Sequence, residues 1–395
     1  MSNIQNKTVV SVGMGPTQIG FIRRLKELGY TVAAFGKGVN SADAIKIADY
    51  SAEIDTRDSK SAIDWLDSLG THIDAVGSFA GGPAIPTVQM LSNYYKTPTS
   101  IPQALITASD KLAQQQFYKE YGLSSIETWR IGNLPQDFFS GNPYDLYIKK
   151  PIVGRGSIGV SVLNKAELLK ILNTSNSDDI IQTFRKGTEY RCAIIIQNGK
   201  IKLLAPIQRI SYRDTSYLGV LFYNDHHLPQ LADFINRFLQ KTGIVNAIIK
   251  ADILVSSASV DVIEMDIGVG GGNYYKTYLS CLYGCDVMDE YINLITGQPV
   301  CEFSVKHPRL RMDYIYNKSE KPITYDLTEC HRLVTENYGR CKIQTNLLKP
   351  EMRGGFRSNA DFILTVIYDL RQNDGENNLF AMDDFFNEQL FKERE

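Results

Sequence analysis

The stretch "NAIIKADILVSSASVDVIEMDIGVGGGNYY", residues 246–275, constrains the fold more than any other part of the chain. It holds two β-type runs joined by a short Ser-rich turn, with charges at alternate positions. Side chains alternate across a strand, so Lys250 and Asp252 share one face and Ile249, Ala251 and Ile253 the other. In the second run Glu264 and Asp266 share a face opposite Ile263 and Met265. Two neighbouring strands then direct three carboxylates and one lysine into a single place between hydrophobic layers. Like charges so close repel unless neutralised, and a divalent cation with oxygen ligands is the natural neutraliser. Mg²⁺ combines few protein carboxylates with phosphate oxygens, which fits this count. A merely wet polar face is the alternative, and the density of acids in "VDVIEMD" weighs against it.

A partner for such an ion stands upstream. In "YIKKPIVGRGSIGVSVL", residues 147–163, Lys149 and Lys150 end a β-type run. A loop with Gly154, Gly156, Ser157 and Gly159 follows, and the alternation resumes at Val160. A P-loop places its Lys-Ser/Thr after the glycines, where a helix begins; here the lysines come first. The segment therefore reads as a hairpin: either one whose tip folds over an anion, with backbone N–H groups and a lysine as donors, or an ordinary surface hairpin. "SDKLAQQQFYKEYGL" opens a helix capped by Ser109 or Asp110 and closed by Gly122. Lys111 thus sits in the first turn, which the helix dipole makes mildly unfavourable for a cation. "DDIIQTFRKGTEYRCAIII" reads as strand, turn, strand. Backbone groups of Gln182, Thr183 and Phe184 suit an adenine edge, Phe184 offers an apolar face, and Glu189 suits ribose hydroxyls or, as a charged residue after Gly-Thr, a solvated surface.

The first hundred residues alternate strand and helix: "TVVSVG", then "TQIGFIRRLKEL" with Ile19, Ile22, Leu25 and Leu28 on one face, then "TVAAFG" and a later "IDAVGSFA". This pattern is a doubly wound α/β unit. Its first turn has Gly13, Gly15 and Gly20, a spacing of GxGxxxxG rather than GxGxxG. The second strand ends Ala34-Phe35-Gly36-Lys37, without the acid that holds a ribose hydroxyl, so a nicotinamide-dependent oxidoreductase is a minor alternative.

Length and charge limit the remaining classes. A chain of 395 residues suggests two or three domains. A formal net charge of −2 argues against nucleic acid as partner. No run reaches the ~18 apolar residues of a membrane span. The N-terminal apolar stretch lacks the basic flank and cleavage site of a leader. The six cysteines have no paired metal-ligand spacing, which suits a reduced, cytoplasmic protein; Cys281 and Cys285 read as part of an apolar helix face rather than half a metal site. His226 and His227 sit beside a turn and read as a solvated loop pair.

Taken in order, these segments resemble the ATP-grasp superfamily, and specifically its carboxylate-amine ligases. The likeness covers about residues 5 to 300 and rests on "SDK", "KKPIVGRGSIGV", "QTFRKGTEY", "KADIL" and "VIEMDIGVGGG". It implies an α/β chain, α+β overall, with a pre-ATP-grasp α/β domain at 1–105, an ATP-grasp domain at 106–300 and a C-terminal α+β segment at 301–395. A nucleotide-covering hairpin would span about 147–190. The resemblance assigns ATP phosphates to Lys111 and Lys150, with Gly154, Gly156, Ser157 and Gly159 covering them. It assigns adenine to Gln182, Thr183 and Phe184, ribose to Glu189, and magnesium, with Mn²⁺ as an alternative ion, to Asp252, Glu264 and Asp266.

Two departures stand out. The family writes Glu-x-Asn followed two positions on by Arg; here the motif is Glu264-Met265-Asp266 and Gly268 stands at the Arg position. Lys250, Arg209 or Arg213 is then the replacement cation, with Lys250 and Arg209 the catalytic candidates. Gln182 replaces a common acid. Arg213, Gly271, Gly272 and Asn273 are the substrate candidates. The expected activity joins a small-molecule carboxylate to an amine through an acyl phosphate, releasing ADP and phosphate; a homodimer is compatible with it. The same motifs would also suit an ATP-dependent carboxylase of this superfamily, or a chain that binds ATP without turning it over.

Overall fold

The computed structural model describes residues 7–16, 18–37, 42–80, 82, 84–102, 110–136, 138–141, 144–153, 158–172, 179–211, 218–269, 274–345, 361–370 and 380–393. The first unit is a parallel sheet of β1 (Thr8–Val12), β2 (Thr31–Phe35), β3 (Tyr50–Ala52) and β4 (Ile73–Gly77), in the order β3-β2-β1-β4. Helices α1 (Ile19–Glu27), α2 (Ala42–Ile47), α3 (Ser59–Ser68) and α4 (Ile85–Tyr94) accompany it. Both faces of the sheet are buried: Val9, Val32 and Ala34 join one core cluster, Val10, Val12, Ala33 and Phe35 another. That is the doubly wound arrangement read from the sequence. Its first turn is filled from within. The Gln18 side chain accepts from Phe79 N–H at 3.0 Å and donates to Ser78 Oγ at 3.3 Å.

A second sheet follows α5 (Lys111–Glu120). It comprises β5 (Thr128–Arg130), β6 (Leu146–Pro151), β7 (Ser161–Asn164) and β8 (Asp179–Thr183), ordered β5-β8-β6-β7 and antiparallel, with α6 (Phe138–Gly141) and α7 (Lys165–Leu172) beside it. The hairpin expected around the glycine loop is β6–β7, with Ile148 opposite Val162 and Lys149 opposite Ser161. Gly159, at φ +77°, takes the left-handed conformation just before β7.

The largest sheet begins with β9 (Thr188–Gln197), β10 (Lys200–Ser211), β11 (Leu218–Tyr223), β12 (Ala247–Val255) and β13 (Val260–Asp266). Between β11 and β12 lies α8 (Leu228–Thr242), closed by Gly243 at φ +69°. Its residues Leu231, Phe234, Ile235, Phe238 and Leu239 repeat at helical spacing and bury one face of the sheet against Tyr190, Cys192, Ile194, Ile249, Ala251 and Ile253. The opposite face packs Ala193, Ile195 and Ile248 against a π-helical turn at Tyr274–Leu279, the short α9 (Ser280–Tyr283) and α10 (Val287–Ile295). Through α10 this body grips the first unit: Tyr291 Oη accepts from Ser78 N–H at 3.0 Å, and Arg24 holds Asp289 with two hydrogen bonds, at 2.7 and 2.8 Å.

The C-terminal part adds β14 (Leu310–Ile315), β15 (Ile323–Thr324), α11 (Leu327–Tyr338), β16 (Cys341–Thr345), β17 (Leu364–Asp369), α12 (Ala381–Phe385) and β18 (Lys392–Glu393). Three of its strands extend the large sheet, whose full order is β13-β12-β9-β10-β11-β14-β17-β16. Strands β14, β16 and β17 therefore share a sheet with β9–β13, because β14 pairs directly with β11, while β15 and β18 pair only with each other. The strand, turn and strand expected of residues 179–197 are β8 and β9, which lie in different sheets. All six cysteines are free thiols. Among the described residues no helix is long and apolar enough to cross a membrane.

Candidate active site

The acidic strand pair is an antiparallel ladder with Lys250 opposite Asp266 and Asp252 opposite Glu264. Its alternation is broken once. Asp252 pairs with Glu264 but Ile253 with Val262, leaving Ile263 as the extra residue of a bulge. The bulge lets Val262 and Met265 both face the α8 core while Glu264 and Asp266 stay with Lys250 and Asp252.

Asp252 is 4% exposed. Both its oxygens are engaged: Arg191 Nε donates to Oδ1 at 3.0 Å and Arg191 Nη2 to Oδ2 at 3.3 Å. Lys250 Nζ also lies 3.0 Å from Oδ2, and 3.9 Å from Glu264 Oε1. Burial pushes Asp252 up, yet Arg191, Lys250 and Arg209 outweigh it and hold the carboxyl far below its usual range. For Lys250 burial is likewise overcome by Asp252 and Glu264, which raise it. Lys250 is also the chief influence lowering Glu264, whereas burial raises Asp266.

The two lysines that open the glycine loop part company, because neighbours on a strand face opposite ways. Lys149 pairs with Asp179 at 2.8 Å. Lys150 is 7% exposed and has no ion pair among the described residues. Burial pushes it down to about 8, with the Glu264 carboxylate as the opposing influence and Lys111 adding repulsion. Lys111 is brought alongside by its own N–H, which donates to Ile152 O at 3.0 Å, just past β6. Asp110 caps its helix, accepting from Leu112 and Ala113 N–H at 2.8 and 3.0 Å. Burial also lowers Lys111, while Glu264 and Asp266 draw it the other way.

Other expected positions are less open than the sequence suggested. β8 is flanked by β5 and β6, so Gln182 to Phe184 are not at a sheet edge. Thr183 N–H donates to Glu127 O and Phe184 N–H to Leu146 O, and Gln182 Nε2 donates to Thr128 Oγ1 at 2.9 Å. The N–H groups of the expected adenine edge are thus already bonded. Glu189, expected at ribose, accepts from Arg209 Nη1 at 2.6 Å. Arg209 Nη1 lies a further 3.9 Å from Asp252, and its buried Nε has no partner among the described residues. Gly154, Gly156, Ser157, Arg213, Gly271, Gly272 and Asn273 lie outside the described residues. His226 is exposed at the turn before α8 and His227 bonds Gln230 at 3.0 Å, consistent with a loop pair.

Arg191 escaped the sequence reading. The signal was available: it is two residues after Glu189 in a β-run, so the two share a face. What the sequence did not contain was the pairing of β9 with β12, which sets Arg191 directly opposite Asp252. The missing arginine at position 268 also has a structural reason. A Cβ on Gly268 would lie 2.4 Å from Ile85 Cδ1, at the first turn of α4, and Gln89 Nε2 of the same helix donates to Ile267 O at 2.8 Å. The first domain occupies the space that a side chain at 268 would need.

No family model matches the chain, and no curated protein does. Solved structures do. An L-amino acid ligase from Bacillus licheniformis superposes with a TM-score of 0.77 at 13% identity, covering 100% of both chains. An N5-carboxyaminoimidazole synthase from Aspergillus clavatus, in complex with ADP and its aminoimidazole ribonucleotide, gives 0.70 at 12% identity over 97% of this chain and 100% of that one. Phosphoribosylglycinamide synthetase from Anaerococcus prevotii gives 0.67 at 15% identity over 94% and 95%. These likenesses establish the fold, which is that of the ATP-grasp enzymes over almost the full length of the chain.

Proposed function

We propose that this chain, built on the ATP-grasp fold, is an ATP-dependent carboxylate-amine ligase that forms an amide through an acyl phosphate. The observation that carries the reading is Lys150, a buried ammonium without an ion pair among the described residues, held near Glu264. A buried cation is expensive to leave unpaired, and an anionic ligand such as a phosphate group offsets that cost. The fold supports the same reading, since a structure sharing it is an ADP complex.

Carboxylate oxygens at Glu264 and Asp266, next to ammonium groups that suit phosphate, form a hard donor set that fits Mg²⁺. When bound there, the ion would offset charge on phosphate oxygens. The chain's own residues then do the positioning on which phosphoryl transfer depends. Lys111 and Lys150 face the phosphates. Lys250 holds Glu264 ionised, and Arg209, whose Nε has no partner among the described residues, is a cation suited to the substrate carboxylate. A carboxylate oxygen attacks the γ-phosphorus, the bridging P–O bond breaks and ADP leaves. The amine nitrogen next attacks the acyl carbon, and the C–O bond to phosphate breaks. Phosphate departs with the proton that the amine gives up.

A phosphate-release screen over a matrix of amino acids and other carboxylates with MgATP tests the reading, run beside Glu264→Gln. Release that requires both an acid and an amine, and that Glu264→Gln abolishes, is the expected result. A bicarbonate arm covers the ATP-dependent carboxylase, which the likeness to N5-carboxyaminoimidazole synthase makes the second reading. Turnover that survives Glu264→Gln, or no release with any pair, defeats the proposal.

A further inference from the structure

Resting on that reading of the cleft, we propose that the chain takes a single divalent cation with its nucleotide, on Glu264 and Asp266, and that Arg191 with Lys250 supplies from the protein the positive charge of a second ion. Asp252 is then a positioning residue rather than a metal ligand. Its carboxylate lies in a row across three strands: Arg191 on β9, Asp252 on β12, Glu264 on β13. A guanidinium fork closes on one side of it at 3.0 and 3.3 Å, and Lys250 Nζ adds a third donor at 3.0 Å. Arg209 Nη1 stands 3.9 Å away. The side chain is 6% exposed, against 41% for Glu264.

A cation that reached Asp252 would have to enter a buried space already occupied by three positive groups. Glu264 is more open to solvent than Asp252, and Lys250, at 3.9 Å, is its one ion pair among the described residues. Consistent with two separate roles, no three His, Cys, Asp or Glu side chains among the described residues converge as a metal cage. Arg191 is itself held in place. Tyr274 Oη donates to the Arg191 carbonyl at 3.1 Å, and its ring lies 6.0 Å from the guanidinium carbon. Permanent protein charges in place of a metal ion need no recruitment at each turnover, which is the advantage of a preorganised electrostatic site.

Equilibrium dialysis of the full chain against Mn²⁺ and the β,γ-imido analogue of ATP counts metal and nucleotide together. The wild-type chain is expected to hold one Mn²⁺ per bound nucleotide. Asp252→Asn should leave that ratio at one, whereas Glu264→Gln should abolish metal retention. Two ions per nucleotide in the wild type, or a ratio that falls on Asp252→Asn, overturns the assignment while leaving the ligase reading intact. The wild-type count stands even if Asp252→Asn does not fold. Absence of nucleotide binding by the wild type defeats both proposals together.

Discussion

Replacing Lys150 with methionine should move stability and nucleotide affinity in opposite directions. The folded chain carries this ammonium at 7% exposure with burial lowering its pKa from 10.5 to about 8. Keeping it charged near neutral pH costs about 3 kcal/mol, at ~1.4 kcal/mol for each tenfold loss of proton affinity. Methionine fills much of the same volume without the charge. The nucleotide-free Lys150→Met chain should therefore melt higher, by on the order of 5 °C for a domain of this size. Nucleotide binding should suffer, because a charge-assisted hydrogen bond to phosphate is worth ~1.5–3 kcal/mol, or about 10- to 150-fold in affinity. Differential scanning fluorimetry without ligand and calorimetric titration with MgADP measure the two effects. A lower melting temperature, or an unchanged affinity for MgADP, would refute the claim that burial without an ion pair poises Lys150 for phosphate.

Lys149→Met is the neighbouring control: among the described residues it loses the pair with Asp179, and titration with MgADP should show an affinity within about twofold of wild type. The pH dependence has a definite sign. Because Lys150 is lowered in the folded state, the unfolded chain binds more protons between pH 8 and 10.5, and this residue's contribution makes stability rise with pH across that window. Chemical denaturation at stepped pH should show a steeper rise in wild type than in Lys150→Met, with the difference spread over that window. By the same linkage, MgADP should take up about half a proton near pH 8, read by calorimetry in buffers of different ionisation enthalpy. Gly268→Ala should destabilise by no more than ~1 kcal/mol, because the Ile85 Cδ1 methyl it meets can rotate aside, with Ile85→Ala restoring the loss in denaturant titrations. Tyr118→Phe strands the Met265 N–H that now donates to Tyr118 Oη at 2.9 Å, and should cost ~1–3 kcal/mol in the same assay.

Local chemistry along the chain was enough to place the essential groups. Period-two alternation put Lys250 with Asp252 and Glu264 with Asp266, the cap at Asp110 put Lys111 in a first turn, and β-branched runs flanking glycines marked the β6–β7 hairpin. Such signals act over a few residues and survive in any tertiary setting. Pairing between distant segments is different, because backbone hydrogen bonds join strands without regard to which side chains they carry. Only the folded chain decided that β9 lies beside β12, so that Arg191 meets Asp252, and that β8 is enclosed by β5 and β6. Alternation separates Lys149 from Lys150, but only the fold tied Lys149 to Asp179 and left Lys150 buried under the influence of the Glu264 carboxylate. Close packing between domains explains Gly268 in the same way, since Ile85 reaches that point from residues far earlier in the chain. The residues themselves set which groups share a strand face; which charges neutralise one another follows from long-range register and burial, which no local pattern encodes.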